Sequence, residues 1–326
     1  MHATSAASVP PTLSPERFIF WKPARKRSLP VADQQPGIPL PGILLPINRS
    51  DWKKGEPTDA VIGQGLYDYL RQFPDCPHNT VYAELLRDAF PHFLTDLAAQ
   101  AVMLDAKDPA TAHVKRKLTA LKILALVEPA NPGLFHQLCR GFYELALSFE
   151  ELENCRRHLL QAMRYGQEVL KINPEDPYAL HLLAEIDVIF GDFPGADAKW
   201  QRALNHLDES DFREQVKHRR QYFGGKPWVE SNLVDDLEAV HRAMTLFAAE
   251  NHQLALAILE RLEEEGRFPA ELPSADYFYL LGVCRMRDQQ MAAAAEALQR
   301  ALHIDPEHQP AQQARESLAG GGDENA

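Results

Sequence analysis

His136 and Cys139 stand three residues apart, and so do Cys155 and His158. The two pairs are symmetric about residue 147, where a turn between helices is expected, so antiparallel helices would bring four nitrogen and sulfur ligands together. That is the donor set of a tetrahedral zinc site. A second reading competes with it. Leu152, Cys155, Leu159, Ala162 and Gly166 follow one another at helical spacing, which makes Cys155 a small residue on an apolar stripe. Free cysteine is often buried as a small hydrophobe. We expect core cysteines, with no metal and no cofactor, and keep His136, Cys139, Cys155 and His158 as the rival metal or enzyme site.

Other chemistry is weaker. The stretch "FGGKPW" at 223–228 has glycines but neither the spacing nor the strand context of a phosphate loop, and reads as a connector. "KHRR" at 217–220 reads as a solvated basic face, and "EELENCRR" and "LEEEGR" as acidic surface. No serine stands in a GxSxG frame, and no carboxylate pair is singled out. The expectation is a protein without catalytic activity.

Composition narrows the partners. The chain has 326 residues, 45% hydrophobic and 25% charged, with a formal net charge of −12. That charge opposes nonspecific binding to nucleic acid or to an acidic membrane. Four cysteines without a CxxC do not make a disulfide framework at this length. The N-terminal stretch "MHATSAASVPPTLSPERF" has no apolar secretory core, and no apolar run reaches the ~20 residues of a membrane helix. A cytoplasmic protein with no membrane insertion and no nucleic-acid partner is expected.

The elements that position these residues are helical. Residues 1–57 hold ten prolines and are expected to form an extended or irregular arm, with apolar stretches "RFIFW" and "GIPLPGILLPI" that need a surface, its own domain first of all. A helical region covers 58–132, with Pro91 expected to kink or split a helix that begins near Asn79. Beyond it the punctuation turns regular at "KINPEDP", "HLDESD" and "HIDPEHQP".

That regularity is a repeat. Leu180, Leu183, Ala184 and Asp187 lie on one helical face, a turn follows at Gly191-Asp192-Phe193, and Ala196, Trp200, Ala203 and Leu204 lie on a second face. Residues Phe278, Leu281, Gly282 and Arg285, then Ala294, Leu298, Ala301 and Leu302, repeat the scheme. Ala184 to Ala196 and Gly282 to Ala294 are both twelve apart, and Ala196 to Ala203 and Ala294 to Ala301 both seven. Small residues at these positions let two helices approach closely. In this scheme Trp200 packs inside the hairpin. A weaker copy has Ala243, Ala255, Leu259 and Leu262, and a lengthened one has Phe135, Leu138, Cys139 and Phe142 followed by Ala162 and Val169.

The pattern resembles the tetratricopeptide repeat family, whose repeats of ~34 residues are helix–turn–helix units. The resemblance covers 133–206 and 236–318, the latter ending in a capping helix, with 207–235 as an inserted helix and loop, 58–132 a possible degenerate repeat, and 319–326 a disordered tail. It implies an all-α solenoid of antiparallel helix pairs, a right-handed superhelix, with the Pro-rich arm appended. It also implies a concave wall lined by the first helix of each repeat. Carried over, the lining residues are His136, Arg140 and Tyr143, then Tyr178, His181, Glu185 and Val188, then Val240, Met244 and Phe247, then Tyr279, Val283 and Met286. They lack the Lys, Arg and Asn cluster with which some members hold a C-terminal carboxylate. The implied partner is another protein or peptide with an apolar or amphipathic segment, and the implied role is that of a scaffold. The chain's own N-terminal arm is a candidate occupant of the groove, and an accessory subunit of a larger complex, docking through 58–128, is the further alternative.

Overall fold

The computed structural model describes residues 15–25, 27–31, 34–105, 111–225, 232–265 and 267–320. Contacts divide the chain into two units, Met1–Leu138 and Cys139–Ala326.

Among the described residues, the segment expected to be an irregular arm opens with a 3₁₀ turn (Pro15–Arg17) and then forms strands. β1 (Phe18–Trp21) pairs antiparallel with β4 (Leu45–Asn48), and β2 (Ser28–Val31) pairs antiparallel with β3 (Gln34–Pro39). Proline is tolerated because each sheet has only two strands, so every strand keeps an edge without ladder partners. Helices α1 (Asp59–Gln72), α2 (Asn79–Ala89), α3 (Pro91–Asp105) and α4 (Thr111–Val127) follow. Pro91 does split its helix, with Phe90 as the link.

β4 lies on α1, and all four of its residues are buried. Gly65 makes this possible, since a Cβ there would stand 2.3 Å from the Pro46 carbonyl oxygen. Arg27 ties the same region down by donating to the Pro57 carbonyl at 2.6 Å and to Asp59 at 2.9 Å. Leu45 and Ile47 of "GIPLPGILLPI" are therefore buried in the core of their own unit. The tail expected at 319–326 falls mostly on 321–326, outside the described residues.

α5 (Pro132–Leu147) carries the chain across the division. Then come a 3₁₀ turn (Phe149–Asn154), α6 (Cys155–Ile172), α7 (Pro177–Phe190), α8 (Phe193–Asn205), α9 (Asp211–Phe223), α10 (Leu233–Ala248), α11 (His252–Glu265), the short α12 (Arg267–Glu271), α13 (Ala275–Arg287), α14 (Met291–Ile304) and α15 (Gln309–Gly320). The described part of the molecule is thus mostly helical, and its helices pack chiefly on their sequence neighbours, with α7 on α8, α10 on α11, α13 on α14 and α14 on α15.

Three of these pairs share one turn. Gly191, Glu250 and Gln289 have φ of 82°, 60° and 62°, and each stands seven residues after the small residue Ala184, Ala243 or Gly282. In each, the next amide donates back five residues: Asp192 to the Asp187 carbonyl, Asn251 to Leu246 and Gln290 to Arg285, at 2.8–2.9 Å. This is the left-handed exit of a Schellman motif. The small residues face the partner helix as their spacing demands. Ala184, Ala196, Ala243, Ala255 and Ala294 are fully buried, and a Cβ on Gly282 would stand 2.9 Å from Leu298.

Candidate partner-binding face

Trp200 belongs to the core. It is 0% exposed, its indole Nε1 donates to His181 Nδ1 at 3.1 Å, and its ring stacks on Phe223 with centroids 5.8 Å apart. The acceptor role fixes the His181 tautomer with its proton on Nε2. Burial lowers the His181 pKa, with Arg219 adding to the effect and Glu185 opposing it.

Phe223 and Arg219 belong to α9, the inserted helix. Phe212, Val216, Arg219 and Phe223 form one helical face; α9 packs on α8, and the Phe212 and Arg219 side chains reach α7. Phe212 stacks on Tyr178 at 4.8 Å and meets the His181 ring edge-on at 5.2 Å. Arg219 donates to both carboxylate oxygens of Glu185, with Nε to Oε1 at 2.9 Å. Arg220 reaches Asp197 at 2.7 Å. The basic run 217–220 is therefore not a solvated face, because two of its cations hold α9 onto the hairpin. The spacing 212, 216, 219 and 223 was the signal in the sequence, masked by the density of charge around it.

The first-helix residues fare unequally. Tyr178 remains 59% exposed at the edge of the Phe212 stack. His181 is half-buried, and Glu185 is buried by its pairing with Arg219. Val188 on α7 and Val240 on α10 are buried, and these two helices pack against each other. Glu185 and Val188 are thus shielded within this arrangement, whereas Val240, though buried from bulk solvent, lines the cavity described below. His136, Tyr143, Met244, Phe247, Tyr279, Val283 and Met286 are half-buried, and Arg140 is exposed and pairs with Glu144. Burial raises the Tyr143 hydroxyl pKa, and the nearby Glu185 charge adds to it. The Phe247 ring lies 4.8 Å from His252 and the Tyr279 ring 5.5 Å from His308.

One part of the first-helix face does open into a cavity. It has a volume of about 190 Å³ and is lined by Leu147, Phe149 and Leu152, by Leu237 and Val240 of α10, by Phe268 and Glu271 of α12, and by Leu272, Pro273, Ser274 and Tyr277. The wall is apolar except for Glu271 and Ser274. Tyr277 is held in place by donating its hydroxyl to the Leu259 carbonyl at 2.8 Å. α12, absent from the expected repeat, forms one side of this cavity.

The rival metal set is not assembled. Among the described residues no group of three or more His, Cys, Asp and Glu side chains is placed to hold a metal ion. Cys139 Sγ lies against Gly166, where an added Cβ would stand 3.2 Å away, and burial pushes its thiol up to about 12. Cys155 is fully buried, and its thiol rises to about 11 from the same cause. His158 bonds Glu151 at 3.1 Å and stacks on Phe142 at 5.9 Å. Glu151, read from sequence as acidic surface, is buried.

Among the described residues no helix is long and apolar enough to cross a membrane. Set beside known proteins, the chain matches no family model and has no significant match to a curated protein.

Proposed function

We propose that the chain is a non-catalytic, cytoplasmic protein-interaction scaffold of the tetratricopeptide type. It binds an apolar or amphipathic segment of a partner protein through its C-terminal unit. The observation that carries this reading is the threefold turn. Three helix pairs repeat the same small-residue interval, the same left-handed residue and the same backward hydrogen bond. Such pairs in this family present their first helices to a partner. Here α9 covers the middle of that face, so the binding region moves to the cavity beside α10 and α13. Its size suits one large apolar side chain, which would act as an anchor while the flanking residues of the segment lie over the half-buried rim.

The reading is tested with a displayed library of random peptides panned on the purified chain. The expected winners share one large apolar anchor. They bind the wild type at least about tenfold more tightly than Leu272→Trp, which fills the cavity from its rim. The melting temperature of the variant is measured alongside. Peptides that bind both proteins equally, or a library that yields no binder, would overturn the proposal.

A further inference from the structure

The first unit holds a larger cavity that the scaffold reading does not use. Its volume is about 540 Å³, within the range of small-molecule sites. The walls are the rings of Phe20, Tyr69, His78 and Tyr82. Ile43, Leu44 and Pro77 add aliphatic surface, and Lys22, Gly42 and Cys76 complete the lining.

The walls are braced. Tyr82 donates its hydroxyl to the Leu44 carbonyl at 2.6 Å, which joins α2 to the segment before β4. Tyr69 is wedged edge-on between Phe20, at 5.5 Å, and Tyr82, at 6.1 Å. Yet Phe20 and Leu44 are 41% and 48% exposed. Two large apolar side chains thus stand open to solvent across a preformed hollow.

The charge in the lining has one sign. Burial raises the pKa of Tyr69 and of Cys76 and lifts Tyr82 to about 12, so none of them is an anion near neutral pH. The fixed charge is the Lys22 ammonium, which makes no ion pair with a described residue. Cys76, Pro77 and His78 lead straight into the N-terminus of α2, where the Thr80 amide donates to the Asn79 side chain at 2.8 Å. That end of a helix favours negative charge. The neighbouring Asp75 is not in the lining and is neutralised by Lys122 at 2.6 Å.

We propose that this cavity is a binding site for a small aromatic carboxylate, its rings against the wall formed by Phe20, Tyr69 and Tyr82 and its anion at Lys22. A neutral aromatic would leave the ammonium unanswered. A small anion without rings would leave the apolar walls wet.

The test uses naphthylacetate and its uncharged amide as probes on the full chain. Calorimetry gives their affinities, and alkylation of Cys76 gives the location. Cys76 is the one cysteine that is not buried, since Cys139, Cys155 and Cys284 are. Naphthylacetate is expected to bind and to slow Cys76 alkylation, with its amide about tenfold weaker. Lys22→Met, at an exposed site, is expected to remove that preference while leaving the amide unchanged, and Phe20→Ala to weaken both. Equal binding of acid and amide overturns the proposal, as does unchanged preference in Lys22→Met. Absence of heat and of Cys76 protection up to millimolar concentrations overturns it too.

Discussion

The pairs α7–α8 and α13–α14 are built to one measure and stabilised by different means. The position three residues after the small residue is Asp187 in the first and Arg285 in the second. Asp187 pairs with Lys199 inside its own hairpin. Arg285 reaches out to Glu263 of α11, which also receives Arg300 at 2.6 Å. The position four after the second small residue is Trp200 in one and Leu298 in the other. Trp200 draws a cover over itself, because its indole is completed by His181 and by Phe223 of α9. Leu298 needs no polar partner and closes directly on Gly282. Spacing therefore decides that two helices pair, and the side chains at two matched positions decide what else packs on the pair.

Trp200→Ala is the most severe way to break this comparison. It removes the largest fully buried side chain and the donor to His181, and should cost about 3–5 kcal/mol in chemical denaturation, at the top of the range for large-to-small core changes. Leu298→Ala should cost less. A Trp200→Ala protein no less stable than Leu298→Ala would show that α9 is dispensable to the first pair.

The next effect separates the cover from the hairpin. Arg219→Met leaves the buried Glu185 carboxylate without its two-pronged partner and should cost about 1–3 kcal/mol, held below the fully buried case because the guanidinium is partly exposed. Glu185→Met in the same background should recover part of that loss. Additive costs in this double-mutant cycle would mean that the Arg219–Glu185 pair does not help to hold α9.

The smallest effect sharpens the likeness. Gly191→Ala places a Cβ on a left-handed residue and should cost about 1 kcal/mol, whereas Gln289→Gly at the matched turn should gain about 0.5 kcal/mol, since relieved backbone strain slightly exceeds the added chain entropy. A loss of stability in Gln289→Gly, read from melting curves, would mean that its side chain contributes more than its backbone costs.

Much of the helical part was legible. Ala184, Ala196, Gly282 and Ala294 announced the pairing through their intervals, and Trp200 was correctly placed in the core. Illegibility began where a side chain's partner is remote in sequence. Arg219 looks like surface until Glu185, 34 residues earlier, is seen to meet it. The prolines before residue 57 hide strands because local rules penalise proline in a ladder, while a two-stranded edge does not. Cys155 and His158 have ligand spacing, but their environments gave them different neighbours.

By itself the sequence determined the repeat interval, the positions of small residues and the turns, because these follow from helical periodicity and from backbone sterics that act within a few residues. Only the tertiary structure decided which faces stay open. α9 closes over α7, α12 walls the cavity beside α10, and β4 sinks onto α1, each through contacts across tens of residues whose strength depends on burial and on charge pairing in three dimensions.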